Sequence, residues 1–484
     1  MAFQQHKDLV GYVAQQVATR SGFQTPSPLL SGGLAFSPST LNLNVTVNEE
    51  ARPDHTGRMA TASSIVHAAE VEWDCTLPFE PAGPSTSASD ASDFFAVGHF
   101  ATPTNYVNSA VVDSGGATTS FIVSQISGIS SGMLLPIETT SSSGKYKVRQ
   151  VISVSGTSGK GKVVIQPPLA AAAVLGAKVM PSRTNKANNA CDNAALTIWE
   201  GISTPNQKSV RYVWGAVPQT YTISWGNNTH PMCQMNGFAR GYRHAATVST
   251  NSAISTAVAT TIKLTRPKRV DSGTLVKIDS EVMKLGAKTS GSSTYAVAAS
   301  GRGLLGTVAT QHNTGVQCEP HTPSAVLQGK PIRSPLVTVD VGINSAASVS
   351  LEGTEGTLTF GDAMQQDPQD FGDEWRTASY GKSDGDLKPA LAVTGRLTAS
   401  AFEAYQRSRD AEMPAAIVQM GNEIGTNKGM VAFAVPFALV QTFEGTTGDG
   451  KGSIGITTRF EGRGMTPTNK TSGLLDVITY GELG

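Results

Sequence analysis

The sequence predicts a mainly β protein, with two larger, related β domains and two small β insert modules. Three observations carry that prediction. Charged residues make up 15% and hydrophobic residues 39% of the chain, with 50 Gly, a mix that suits extended structure with many turns. Apolar and polar residues alternate with a period of two in segment after segment. Two kinds of segment also occur twice, as repeated structural units do. The length, 484 residues, exceeds one ordinary core.

Residues 1–35 read as an N-terminal arm, opening with a short amphipathic helix over 6–18 that "SGFQTPSPLLSGG" breaks with Pro and Gly. A first β domain spans 36–246. Its strands include "LNLNVTVNEE" from Leu41 and "AEVEWDCTLPFEP", where Val71, Trp73, Cys75 and Leu77 share a face. "ARPDHTGRMATASS" reads as an irregular loop and "AGPSTSASDASDFF" as a polar linker. "ALTIWEG", "KSVRYVWGAVPQTYTISWG" and "MCQMNGFARGYRH" read as further strands. The domain is interrupted by an insert over 100–182, and a second insert covers 247–322. A second β domain, 323–484, has its own strand series and one helix over 400–411, capped by Ser400 and ended by Pro414.

The repeats support this division. "LTIWEGISTPNQKSVRYVWGAVPQT" lies over "IVQMGNEIGTNKGMVAFAVPFAL", with Gly201 near Gly421, Lys208 on Lys428 and Pro218 near Pro436. "EVEWDCTLPF" and "LAVTGRLTASAF" precede the two copies, and "MCQMNGFARG" and "IGITTRFEGRG" follow them. The inserts echo each other as "SSGMLLPIE" and "DSGTLVKID", aligned on Gly132 and Gly273.

Composition and motifs exclude several functions. Lys+Arg and Asp+Glu are 37 each, so no net charge draws the chain to nucleic acid or to a membrane, and a neutral Ser/Thr/Gly-rich surface favours self-association. The start has no secretory signal pattern, no window is apolar enough for a membrane helix, and the four scattered Cys read as buried free thiols. A protein kept in the cytoplasm until it assembles is therefore expected. "GISSG" (Gly128 to Gly132) has the letters of a nucleophile elbow, but a strand pattern follows it where a helix is required. "GTSGKGK" lacks phosphate-loop spacing, and the eight His form no helical metal pair. No catalytic residue, metal or cofactor is expected.

One charge cluster stands out. Asp362, Asp367, Asp370, Asp373 and Glu374 lie in "LEGTEGTLTFGDAMQQDPQDFGDEW", which has no Lys or Arg. It reads either as a solvated loop or as a loop docking between subunits or rings, with Arg52, Arg58, Arg240 and Arg243 as basic counterparts, alongside "RPKR" at Arg266 to Arg269.

The run "ALAVTGRLTASAFEAYQRSRDAEMPAAIVQMGNEIG", with "MVAFAVPFALVQTFEG" and "GSIGITTRFEGRG", resembles tail tube proteins of long-tailed bacteriophages, specifically double-domain members. "IDSEVMKL" and "GRGLLGTVATQHNTG" resemble a small β module common in phage structural proteins. The first resemblance implies β-sandwich or split-barrel domains, each with a flanking helix. It implies rings of six such domains whose inner strands join into one barrel, three chains per ring, and rings stacked into a tube. Partners would then be other copies of the chain, tail proteins such as the tape measure and terminators, and viral DNA passing without specific binding. The location would be the virion tail, after assembly in the host cytoplasm, with the inserts outside. The alternatives are a baseplate or capsid-decorating protein and, in another class, a hydrolase using Ser130.

Overall fold

The computed structural model describes residues 10–16, 34–36, 38–50, 65–79, 92–95, 104–140, 143–156, 159–186, 195–204, 207–226, 229–297, 299–321, 332, 336–342, 348–351, 353–361, 364–366, 380–382, 389–396, 406, 415–424, 429–435, 438–447, 454–462 and 479–483. The protein is mainly β, built from several sheets and a six-stranded barrel. The helix expected over 400–411 lies outside the described residues apart from Gln406, which is helical. The only other α-helical residues described are the single turn Ser92–Phe95. No described helix is long and apolar enough to cross a membrane.

One opening expectation is corrected. The segment read as an amphipathic helix over 6–18 contains the strand Val10–Gln16, antiparallel to Ala195–Thr204 on one side and Leu34–Phe36 on the other. A helix this short is marginal alone, and Val10, Tyr12 and Val13 favour a strand once partners supply a ladder.

The strands form two flank layers and one shared sheet. The N flank layer runs Leu34–Phe36, Val10–Gln16, Ala195–Thr204, the first part of Gln207–Gly226, then Gly241–Ala246. The C flank layer runs Val349–Leu351, Val337–Gly342, Ala415–Met420, Met430–Val435, Thr479–Leu483. The pairing order is the same, and so is the chain order of the matched strands. In the shared sheet, Thr40–Glu50, Ile65–Pro78, Met232–Ala239 and the second part of Gln207–Gly226 follow one another. Gly353–Gly361, Ala390–Arg396, Ile454–Gly462 and Ala438–Thr447 then repeat that pattern. The strand architecture is therefore duplicated.

One hydrophobic core fills the space between flank layers and shared sheet. Val71, Trp73, Cys75 and Leu77 face it from one strand, with the odd-position burial that the alternation implies. Val213 and Phe433 enter from the two flank layers. Phe94 and Phe95, in the stretch read as a polar linker, are fully buried here, with Phe95 stacked on Tyr221 at 5.1 Å. No local pattern signals them, because only two apolar residues sit in a Ser/Asp run.

Residues 110–179 close into a six-stranded barrel with its own core, the first module. Residues 248–320 form the second module, a four-stranded and a two-stranded sheet around a separate core. Their hydrogen bonds match in the register of the sequence echo. Gly132 N donates to Val151 O at 2.7 Å, and Gly273 N to Leu285 O at 2.7 Å. Val111 N donates to the Ser124 hydroxyl at 3.1 Å, and Ser249 N to the Thr265 hydroxyl at 3.0 Å. Gly132 (φ 83°) and Gly273 (φ 88°) make the same left-handed turn, where Gly carries no Cβ penalty.

Candidate functional site

Three places concentrate unusual chemistry or geometry: the ends of the shared sheet and the two seams where modules meet flank layers.

Inside the chain, the two halves of the shared sheet join by antiparallel pairing of Gln207–Gly226 with Gly353–Gly361, Tyr221 opposite Phe360. The two rings stack at 4.9 Å, leaving Phe360 2% exposed. Among the described residues, the outer strands Thr40–Glu50 and Ala438–Thr447 each have a neighbour on one side only. Val45 and Val47 continue the inward parity of Leu41 and Leu43, yet they are 37% and 51% exposed. A long edge strand with exposed apolar residues is a template for another strand.

The duplication gives each edge residue an internal counterpart. The row Thr220–Asn236–Asp74–Asn42 crosses the first half of the sheet, and Thr442–Arg459–Ala392–Thr357 crosses the second. Both rows start just after a register shift, between Pro218 and Thr220 and between Val440 and Thr442. On this register Phe443 matches Tyr221, and Val45 matches Phe360.

The first module docks on the C flank layer. Leu134, Tyr146 and Val148 pack against Ile417, Met430, Ala432 and Ala434. Gln419 clamps the barrel strand: its Oε1 accepts from Val148 N at 2.9 Å and its Nε2 donates to Tyr146 O at 3.0 Å. The buried Arg149 guanidinium meets Asp340 at 2.9 Å, with Lys147 3.2 Å from the same carboxylate. Burial alone would raise the Asp340 pKa, but Arg149 and Lys147 hold it below the ordinary value. The strands entering and leaving the module, Thr104–Tyr106 and Ser182–Lys186, extend this layer beyond Thr479–Leu483.

The second module docks on the same face of the N flank layer. On the register that lays Lys208 over Lys428, Trp199, Tyr212 and Trp214 occupy the places of Gln419, Ala432 and Ala434. Arg243, opposite Tyr212, takes the place of Gly481, opposite Ala432. Leu275, opposite Lys284, corresponds to Leu134, opposite Gln150. A cleft of about 630 Å³ remains in this seam, with Trp199, Tyr212, Arg243, Lys284 and Lys288 on its walls.

Within the second module, Glu281 is fully buried and its carboxylate is saturated. It accepts from Arg302 at 2.6 and 2.8 Å, from Gly303 N at 3.1 Å and from Thr310 N at 3.0 Å. His312 bridges it at 2.8 Å to Asp279, also at 2.8 Å. Burial opposes ionisation, but Arg302, Thr310 N–H, His312 and Gly303 N–H outweigh it and bring the Glu281 pKa down to about 2. This network explains the spacing in "IDSEVMKL" and "GRGLLGTVATQHNTG", a signal that was readable as a D-x-E followed by Arg and His.

The expected docking residues divide. Asp362, Asp367, Asp370, Asp373, Glu374, Arg52 and Arg58 lie outside the described residues. Arg240 sits half-exposed at the bend between Met232–Ala239 and Gly241–Ala246. Arg243 is turned into the second seam, its guanidinium 5.0 Å over Trp214 and donating to Ser272 O at 3.3 Å. Pro267–Arg269 form a 3-10 turn of the second module. Ser130 is followed by the strand Leu134–Glu138. Cys75, Cys233 and Cys318 are buried free thiols, and Cys191 lies outside the described residues. Among the described residues, no group of three or more His, Cys, Asp or Glu is placed to hold a metal ion. No family model matches the chain, and no curated protein matches its sequence.

Proposed function

We propose that the chain is a structural subunit of a phage tail tube, closing into a ring of three copies whose six related β domains share one barrel. Rings then stack into a conduit for DNA. The observation that carries this reading is the internal joint between the two half-sheets, together with the matching edges left over at either end. If Ala438–Thr447 of one copy meets Thr40–Glu50 of the next as Gln207–Gly226 meets Gly353–Gly361, Phe443 falls opposite Val45. Such a head-to-tail contact closes a ring and removes both edges. Both modules dock on the flank layers, so a bore lined by the shared sheet stays open.

Electron microscopy of the concentrated protein tests the reading. Rings or tubes with a central channel are expected. A particle that stays a single chain at every concentration overturns it.

A further inference from the structure

We infer that segment 397–414 of one copy crosses to the next copy and covers the inward face of its edge strand Thr40–Glu50, with Phe402 and Tyr405 over Val45 and Val47. The inference rests on the ring reading and names the part of the neighbour that completes the joint.

Inside the chain, the stretch joining Ile65–Pro78 to Ala195–Thr204 does not stay with its own half. Its Phe79 and Phe95 reach Phe433 of the C flank layer, at 5.9 and 5.7 Å between ring centres. Phe95 also stacks on Tyr221, which meets Phe360 across the internal joint. Farther along, Thr104–Tyr106 and Ser182–Lys186 add two strands beyond Thr479–Leu483. Paired strands and a crossing segment thus close the internal joint together. In the duplicated strand order, 397–414 holds the same place, joining Ala390–Arg396 to Ala415–Met420. It lies outside the described residues apart from Gln406.

Exposure shows which surface is left to cover. Phe360, on the receiving strand of the internal joint, is 2% exposed, whereas its match Val45 is 37% exposed and Val47 is 51% exposed. Phe360 lies 4.9 Å from Tyr221 across the joint and 6.1 Å from Phe433 of its own flank layer. In the N half the place of Phe433 is held by Val213, a smaller side chain. More of the cover for Val45 and Val47 therefore has to come from the neighbour. In sequence, 397–414 carries the apolar residues for it, Leu397, Phe402 and Tyr405.

Position and reach agree. Met232–Ala239 and Gly241–Ala246 run along one side of Gln207–Gly226, and Ile65–Pro78 and Thr40–Glu50 follow on that side. Gly241–Ala246, the last described strand of the N flank layer, therefore faces the same neighbour as Thr40–Glu50. One strand, Ile454–Gly462, separates Ala390–Arg396 from the outer edge Ala438–Thr447, as Met232–Ala239 separates Ile65–Pro78 from Gln207–Gly226. From Ala390–Arg396 to the neighbour's edge is then three strand spacings, about 14 Å. The stretch from Arg396 to Phe402 extends to about 20 Å at most, which is enough.

Mixtures of two singly substituted full chains test this, joined by a short bis-maleimide under assembling conditions. One chain carries Val47→Cys, and the other carries Phe402→Cys or, in a second mixture, Tyr405→Cys. Val47 is already exposed, so its replacement leaves the fold in place. A mixed two-chain product is expected in at least one mixture. Its yield should be at least about tenfold above that of a control in which Val111→Cys, at an exposed site on the first module, replaces Val47→Cys. If both mixtures match the control while the edge pair, Val45→Cys with Phe443→Cys, does cross-link, the ring reading stands and this inference is overturned. If neither the mixtures nor the edge pair cross-link, both are overturned. A single chain carrying Val47→Cys and Tyr405→Cys that closes only on itself also overturns the inference, because the segment then covers its own half.

Discussion

The first module meets its flank layer at Gln419, Ala432 and Ala434, whereas the second layer carries Trp199, Tyr212 and Trp214 at the matching positions of the matching strands and bonds its module through Arg243 and Lys208. In the first seam the Gln419 side chain bonds the barrel backbone at Val148 N and Tyr146 O, beside a buried Arg149–Asp340 pair. In the second seam Arg243 donates to Ser272 O and Lys208 pairs with Glu319, and a cleft remains beside them. The ionic groups also differ: the first seam buries Arg149–Asp340, the second carries the part-exposed pair Lys208–Glu319, and inside the second module Glu281, Arg302 and His312 tie its loops together. One docking geometry thus serves two attachments made with different side-chain chemistry.

The largest expected effect separates the two ionic devices. Glu281→Gln leaves Arg302 and His312 buried without their partner and should cost about 3–5 kcal/mol. Its register counterpart in the first barrel, Lys147, shares Asp340 with Arg149 and is partly exposed, so Lys147→Gln should cost under about 1 kcal/mol. Urea unfolding with amide exchange resolved over 248–320 and 110–179 measures both. Equal losses would remove the distinction.

Acid sharpens it. The Glu281 pKa is lowered from 4.5 to about 2 by folding. Its contribution is therefore full above about pH 4.5 and is lost as the pH falls through about 2. Thermal melts across that range should show the second module weakening in the parent chain, with a flatter pH dependence in Glu281→Gln. A parallel acid profile for the two proteins would assign the acid sensitivity elsewhere.

Next in size is the clamp. Gln419→Ala strands Val148 N and Tyr146 O in a buried seam, at about 1–3 kcal/mol. Exchange should quicken over 146–148 while 248–320 is unaffected. The smallest effect concerns the matched turns. Gly132→Ala and Gly273→Ala each meet the same left-handed strain, about 1 kcal/mol. A Cβ at Gly132 would also come within 2.8 Å of Lys186 Cε, whereas at Gly273 nothing lies within 4 Å. Gly132→Ala should lower the melting temperature more.

Much of this was legible in the sequence because period-two alternation and repetition are local signals. Trp73 and its neighbours sit where alternation puts them, and the Gly132–Gly273 echo is the register of the hydrogen bonds. What the sequence hid was non-local. Val10–Gln16 is a strand because Ala195–Thr204 lies beside it. Phe94 and Phe95 are core because two layers close over them. The first module follows strands of the N-terminal half but rests on the C-terminal one, and spacing along the chain carries no trace of that crossing. Arg243 was legible as a basic residue, but its place over Trp214 was not.

The ring reading is tested most directly by covalent capture of its joint. Burial pushes the thiols of Cys75, Cys233 and Cys318 up, so they compete little with cysteines placed at the edges. Oxidising a chain that carries both Val45→Cys and Phe443→Cys should give a cross-linked ladder that stops at three chains, while either change alone should not give that ladder. A chain that fails to cross-link at this pair under assembling conditions, or a ladder that runs on past three without closing, would contradict the account.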